Sequence, residues 1–236
     1  MRTAIADRVS LSGLIEGFSH YAKTVREILQ HPFKFPESLD MDRDDTYQNA
    51  LSFIVYSTAL VFFLLIPIFS KYEMEVSKIT FLMRYLCLFA MYATLSHVGL
   101  RFIARSKSSI RSTAVVYAYL FGITLPLNTL LLYPVYFSFG PAALFGLPED
   151  YVRLASFYEE HVYLNLYVNV VCNLLFGIFM TLVTLSWFSK THHVGKARVF
   201  LSLFLTGSIG GVIQILVLHE VFGVTFELVE QWLKYA

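Results

Sequence analysis

Three asparagines lie four residues apart in a stretch that otherwise has the composition of a membrane span. Asn165, Asn169 and Asn173 fall within a run from residue 162 to residue 189 that contains no charged residue. Residues four apart share one face of a helix, so the three amides are predicted to form a row. An amide that faces hydrocarbon without a hydrogen-bond partner is costly, and we therefore expect this row to face protein or water.

The row continues toward the end of the run and has a counterpart in the next apolar segment. Small residues let membrane helices approach closely, and amide or hydroxyl groups hydrogen-bond between them, so the two rows are expected to face each other. Two interpretations stay open: the rows are interhelical packing, or they line a hydrated path. The polar members are Asn165, Asn169, Asn173, Thr181, Thr206 and Gln214, and the helix-packing glycines are Gly177, Gly207, Gly210 and Gly211.

The composition is that of a membrane protein. Of 236 residues, 56% are hydrophobic and only 15% are charged, whereas about a quarter of an ordinary soluble domain is charged. A net charge of +1 gives no indication of a nucleic-acid partner. Cys87 and Cys172 both lie in apolar runs, which does not favour a disulfide framework.

Five segments are long enough to span a membrane, since a span needs about 20 mostly apolar residues. We predict an all-α, polytopic membrane protein. The chain would divide into a cytoplasmic segment (1–49), a five-helix transmembrane domain (50–222) and a short tail outside (223–236). The predicted spans are Leu51–Ser70, Ile79–Ile103, Thr113–Phe137, Val162–Phe188 and Val199–Phe222.

Lysine and arginine counts predict the orientation of the spans. The segments before, between and after the spans hold 6, 2, 4, 1, 3 and 1 of these residues in chain order, where Arg101, near the end of the second span, is counted with the link before the third. Cytoplasmic loops are enriched in Lys and Arg, so the alternation places the N-terminus in the cytoplasm and the C-terminus outside.

Residues 10–30 have the pattern of an amphipathic helix. Apolar residues recur at helical spacing on one face, and charged residues such as Glu16 and Glu27 occupy the other. The helix is expected to end at His31-Pro32 and either to lie in the membrane interface or to dock on the bundle. Cationic residues before the first span and in the link before the third form a predicted cytoplasmic basic face: Lys23, Arg26, Arg105, Lys107 and Arg111.

Other local features are structural, and none indicates catalysis. Pro126 is expected to kink the third span, because proline removes one main-chain donor and clashes with the preceding turn. His192 and His193 would point about 100° apart on a helix, which does not favour a shared metal ion. The sequence contains no nucleophile-elbow, phosphate-loop or dinucleotide-binding motif. We therefore expect a protein without catalytic residues, metal or cofactor.

The order of these parts resembles the Yip (Ypt-interacting protein) membrane family, in particular its bacterial members. The resemblance depends on residues 25–35 (VREILQHPFKF) before the first span, on five later spans, and on the basic link that runs into residues 112–119 (STAVVYAY) ahead of Pro126. It implies a non-enzymatic protein of a bacterial inner membrane. The Asp-Leu-Tyr-Gly-Pro-like stretch of eukaryotic members has no counterpart here, so the resemblance does not extend to binding of Rab-type GTPases.

Two functions are carried forward. The first is a membrane adaptor or scaffold that presents its basic face to anionic lipid or a cytoplasmic protein and associates into homo-oligomers through its fourth and fifth spans. The alternative is a channel or transporter whose path follows the polar rows. The absence of Asp and Glu from the span centres does not favour a proton- or sodium-coupled carrier. An intramembrane enzyme ranks third.

Overall fold

The structure is a computed structural model that describes residues 11–41, 43–73, 78–139 and 151–222. Over these residues it is helical and has no strands, which confirms the all-α prediction. A short 3₁₀ turn, Phe35–Ser38, separates the first two helices. The helices are α1 (Leu11–Gln30), α2 (Asp44–Lys71), α3 (Lys78–Phe102), α4 (Ile110–Phe139), α5 (Tyr151–Glu160), α6 (Val162–His192) and α7 (Lys196–Phe222).

Four of the described helices are long and apolar enough to cross a membrane: α2, α4, α6 and the part Lys196–Gln214 of α7. The chain therefore has the character of a multi-pass membrane protein. The remaining predicted span coincides with α3, and its crossing of a membrane stays a prediction. Several helices begin before the predicted apolar run; α2 starts at Asp44, where two acidic residues favour a helix N-terminus. The predicted tail, 223–236, lies outside the described residues.

Helices α2 and α4 lie side by side and run in the same direction. At one end, Arg111 Nη1 contacts Asp44 Oδ1 at 2.7 Å. At the other end, Lys71 Nζ donates a hydrogen bond to the carbonyl of Phe137 at 2.8 Å. We call the first the proximal end, where residues 31–41, Arg43, 103–109 and 193–195 lie, and the second the distal end.

The contact between α2 and α4 is close because Gly122 has no side chain. A Cβ atom added there would lie 2.7 Å from the ring of Phe53 and 2.9 Å from Ser57 Oγ. Around this point the core is fully buried and includes Ile54 and Val115. Pro126 lies further along α4, which continues through it to Phe139; the predicted kink stays a prediction.

Helix α1 packs on α2 through an aromatic contact. The ring of Tyr21 lies 4.9 Å from that of Phe53, and the Ser57 hydroxyl donates to the Tyr21 oxygen at 3.4 Å. Burial raises the pKa of Tyr21, so its hydroxyl stays protonated. Ile28 is buried as well, but Ile15 and Phe18 on the predicted apolar face are exposed. The helix therefore docks on the bundle without covering its whole apolar face.

Helix α6 differs from the others in shape and burial. Residues Tyr167–Phe176 adopt the π form, in which each N–H bonds five residues back. Only 17% of its most apolar 18-residue stretch is buried, whereas 50% of the corresponding stretch of α4 is buried. Its second half is the better packed, because Val183, Trp187 and Phe188 are all buried. Helix α6 therefore lies at the edge of the bundle and is anchored by its proximal half.

Candidate functional site at the proximal end

The segment that follows α1 is fixed across the proximal end of α6. Phe35 is 3% exposed, and its ring lies 5.1 Å from that of Tyr119 and 5.2 Å from that of Trp187. The indole of Trp187 donates to the carbonyl of Pro32. Pro36 lies in the first turn of the 3₁₀ element, where a fixed φ is favourable. The linker after α1 thus shares one aromatic cluster with α4 and α6, which are distant from it in sequence.

Lys190 adds polar contacts to this attachment. Its ammonium donates to the carbonyl of Phe33 at 2.8 Å and forms an ion pair with Glu37. Lys190 lowers the pKa of Glu37, mainly through its hydrogen bond to the carboxylate and also through its positive charge. The carboxylate is therefore ionised at neutral pH, and the ion pair is intact there. We call residues 31–38 in this arrangement the platform.

Behind the platform, four polar side chains form a connected chain across three helices. His97 Nδ1 lies 3.0 Å from Thr113 Oγ1, and Thr113 Oγ1 lies 3.3 Å from His192 Nε2. His192 Nδ1 in turn lies 2.8 Å from Ser106 Oγ. His192 is only 3% exposed, so these bonds satisfy a buried imidazole. We call these four residues the histidine network.

The histidine network is suited to holding helices together rather than to catalysis or metal binding. It contains no carboxylate to orient an imidazole, as a Ser-His-Asp arrangement requires. Among the described residues, no three His, Cys, Asp or Glu side chains converge so that they could hold a metal ion. His193, by contrast, is exposed and has φ 52°. Adjacent histidines thus have different surroundings, and the role of His192 was missed because its partners are remote in sequence.

A cleft opens between the platform and the start of α4. It has a volume of about 630 Å³, within the range of about 300–1,000 Å³ typical of ligand sites. One wall is the linker after α1, the second is the α3–α4 link with the start of α4, and the third is the end of α6. The lining residues are Pro36, Glu37, Leu39, Met41, Lys107, Ser108, Ser109, Ser112, Lys190, Thr191 and His193. We call this space the proximal cleft.

The structure gives the five residues of the predicted basic face different surroundings. Lys107 is exposed and lines the proximal cleft. Arg111 is held by Asp44 and by the carbonyl of Arg43, at 2.7 Å. Lys23, Arg26 and Arg105 are exposed. Arg111 therefore serves as a link between α2 and α4 rather than as a free surface charge, because its guanidinium is used within the chain.

The asparagine row is present on α6, but the described part of the chain leaves it largely uncovered. The amide of Asn169 donates to Asn165 Oδ1, and that of Asn173 donates to Asn169 Oδ1 at 3.5 Å. Asn169, Asn173 and Thr181 are exposed. We call the three asparagines the asparagine ladder. It bonds along its own helix, and its remaining donors and acceptors face outward.

The row on α7 faces α3 and not α6. Thr206 is buried, and a Cβ atom added at Gly99 would lie 2.5 Å from its Cγ2. Gln214 Oε1 accepts a hydrogen bond from the hydroxyl of Tyr92 at 2.9 Å. The expectation that the two polar rows face each other is therefore wrong within the single chain, because α3 supplies the complementary glycine and tyrosine.

The four predicted packing glycines also differ in their surroundings. A Cβ atom added at Gly210 would lie 2.5 Å from the ring of Tyr92, so this glycine does permit close packing. Within the described part of the chain, no atom would lie within 4 Å of a Cβ atom added at Gly177, Gly207 or Gly211. These three glycines therefore have no packing partner among the residues that the structure describes.

Comparisons with known proteins add no assignment. No protein-family model matches this chain, and no match is found among curated proteins or solved structures. The resemblance to the Yip family therefore stays a prediction that depends on the sequence features alone.

Proposed function

We propose that this protein is a non-enzymatic membrane adaptor or scaffold that binds a partner at its proximal end. The platform carries the proposal. It is held by Trp187, Lys190 and Tyr119, yet it leaves Phe33 and Lys34 exposed. A fixed surface that presents an aromatic ring beside a cation is suited to binding, because little conformational entropy is lost when a partner docks.

The arrangement of helix ends supports five spans. Helix α2 ends at the distal end, where Lys71 contacts Phe137. Helix α4 starts at the proximal end, where Arg111 contacts Asp44 and Thr113 contacts His97. The chain between them must return along the bundle, and α3 supplies 25 residues for this, about 37 Å at 1.5 Å per residue. That length exceeds a hydrocarbon core of about 30 Å. Together with the Lys and Arg counts, it favours a cytoplasmic N-terminus and a C-terminus outside. The bacterial inner membrane is proposed from the resemblance to the Yip family alone.

The asparagine ladder supports self-association within the membrane. The amides of Asn169 and Asn173 are exposed on the least buried of the apolar helices, and amides are poorly accommodated by lipid tails. Asparagine is both donor and acceptor, so a second copy offers matching groups across a two-fold axis. The open sides of Gly207 and Gly211 add a surface that a second chain can approach closely.

A photo-crosslinking experiment tests the adaptor. A benzophenone amino acid replaces Phe33 on the platform and, as a control, Phe63, which is 66% exposed on α2. We expect one discrete protein adduct at position 33 in cells, identified by mass spectrometry, and no such adduct at 63. Disrupting the platform with Trp187→Ala should abolish the adduct. Adducts that are equal at the two positions would contradict the proposal.

A channel or transporter is the second candidate, and the exposed asparagine ladder favours it. Since the ladder faces away from its own bundle, such a path would run between copies and not through one chain. A cysteine introduced at Asn169 would then react with membrane-impermeant thiol reagents, whereas a cysteine at Leu174, also exposed on α6, would not.

Flux measurements separate the two candidates. Purified protein is placed in liposomes beside the variant Asn169→Leu, Asn173→Leu, and the passage of ions and small solutes is followed. The adaptor proposal expects no flux from either protein and weaker self-association of the variant. Flux that the variant abolishes while it still folds and assembles would establish the transport function instead.

A further inference from the structure

We propose that the proximal cleft binds the phosphate group of an anionic lipid headgroup. Two lysines, three serine hydroxyls and the N-terminus of α4 surround one cleft. This inference goes beyond the adaptor function and does not depend on it, since a lipid can occupy the cleft whether or not a protein docks on the platform.

The start of α4 supplies the first group of ligands. The Ser109 hydroxyl accepts a hydrogen bond from the N–H of Ser112 at 3.2 Å, and their two hydroxyl oxygens lie 3.0 Å apart. Ser109 therefore caps a helix of 30 residues. The first N–H groups of a helix lack partners within it, and the helix dipole adds positive potential there, so an anion is favoured at this end.

The charges of the lining residues favour a negatively charged ligand. Lys190 is paired with Glu37, whereas Lys107 makes no ion pair within the described part of the chain and is exposed at the cleft. Lys107 and Lys190 against Glu37 leave an excess of one positive charge in the lining. A cation would gain only one carboxylate that is already paired, so the cleft is built for an anion.

The position of the cleft indicates that the anion is carried by a lipid. The lining includes Leu39 and Met41 beside the polar groups, and the start of α4 next to the cleft carries Ile110, which is 52% exposed. Phe102, at the end of α3, is 77% exposed. Basic pockets beside apolar helix ends are typical sites for phosphorylated headgroups. A soluble phosphate ester has no acyl chains that would contact these apolar surfaces.

Thr191 gives a further reason for a bound oxygen ligand. Its carbonyl accepts a hydrogen bond from the Ser108 hydroxyl at 3.2 Å, but its own hydroxyl is buried without a partner in the described part of the chain. An unpaired buried hydroxyl is unfavourable. A small rotation of this side chain on binding would give the hydroxyl a phosphate oxygen as acceptor.

The test compares three probes on the purified full chain in uncharged detergent. These are short-chain phosphatidylglycerol, short-chain phosphatidylcholine and inorganic phosphate, each titrated while the midpoint of thermal unfolding is followed. We expect phosphatidylglycerol to raise the midpoint with saturation and the other two to leave it nearly unchanged. The variant Lys107→Gln should bind phosphatidylglycerol about fivefold more weakly, because one lysine near a phosphate is worth about 1 kcal/mol.

The control is Lys196→Gln, which removes an exposed lysine at the same end of the bundle but outside the cleft. Equal weakening by Lys196→Gln would show a general charge effect and overturn the proposal. The proposal would also be overturned if Lys107→Gln and the charge reversal Lys107→Glu both bound phosphatidylglycerol as tightly as the unmodified chain does. Stabilisation by inorganic phosphate that matches that by the lipid would overturn the assignment to a headgroup.

Discussion

The indole nitrogen of Trp187 donates a hydrogen bond to the carbonyl of Pro32, although 155 positions separate the two residues. The bond joins the linker after α1 to the second half of α6. It fixes the end of α1 relative to the bundle, together with the ring contact between Phe35 and Trp187 and the ion pair at Lys190.

Removing the indole donor should loosen the platform. Trp187→Phe keeps a ring in the aromatic cluster but leaves the Pro32 carbonyl unpaired, at a cost of about 1 kcal/mol. The smaller ring also leaves a cavity at this buried position, which adds to that cost. We expect trypsin to cleave after Lys34 about fivefold faster, since cleavage follows local opening. Phe204→Leu, at a position 60% exposed on α7, is the control and should leave the rate unchanged. Unaltered cleavage in Trp187→Phe would show that the bond contributes nothing to the attachment.

The attachment of the platform should weaken in acid. The folded chain lowers the pKa of Glu37, so the contribution of the ion pair is complete above the ordinary glutamate value of about 4.3. It is lost as the pH falls through the lowered pKa, when the carboxylate takes up a proton. The exchange rate of residues 31–38 is therefore compared with that in Glu37→Gln at each pH, and the ratio of the two rates should approach one as the medium is acidified. A ratio of the two rates that stays constant with pH would contradict this linkage.

Thr113 should be important for stability because it bridges two histidines. Thr113→Val keeps the shape of the side chain but removes the hydroxyl between His97 and His192, which leaves buried ring nitrogens without a partner. We expect the free energy of unfolding to fall by about 1–3 kcal/mol. Thr181→Val, at an exposed position on α6, should change it little. Denaturation in detergent measures both, and equal effects would rule out a bridging role.

Gly122 and Gly207 form a matched pair of substitutions. In Gly122→Ala the new methyl group meets Phe53 and Ser57, and relieving this overlap should cost about 1–3 kcal/mol of stability. Gly207→Ala meets no atom of the described chain, so the monomer should be as stable as before. Thermal unfolding in detergent separates these outcomes, and comparable losses would contradict the close approach of α2 and α4.

Larger side chains on the open glycines test the self-association proposed above. Gly207→Leu with Gly211→Leu should leave the folded monomer intact, since no described residue of the same chain fills either position. Oligomer mass in detergent should nevertheless fall, because a second chain can no longer approach. Unchanged mass would remove these glycines from the proposed interface and leave the asparagine ladder alone.

The helices could be predicted from the sequence because each follows from local composition. Uninterrupted apolar runs predicted helices close to the observed α2, α4, α6 and α7, and His31-Pro32 marked the end of α1. These features require only information within about 30 neighbouring residues. Among the described helices, four meet the criteria of length and hydropathy, whereas the apolar runs predicted five spans.

The candidate site could not be predicted in the same way because its partners are distant in sequence. The histidine network joins His97 to His192, and neither residue has a local pattern that indicates the other. The proximal cleft depends on the fixed position of the platform beside the α3–α4 link. Spacing alone also does not tell which neighbour a row of residues faces, as the contact of α7 with α3 shows.

The π-form turns of α6 change how its two halves are oriented. Asn169 and Trp187 are 18 positions apart, which is five complete turns of a regular α-helix, so a regular helix would point both residues in one direction. Asn169 is instead exposed while Trp187 is fully buried. Each π-form turn holds more residues than a regular turn, so these turns rotate one half of the helix against the other. The same helix can therefore contact the platform with one half while it turns amides away from the bundle with the other.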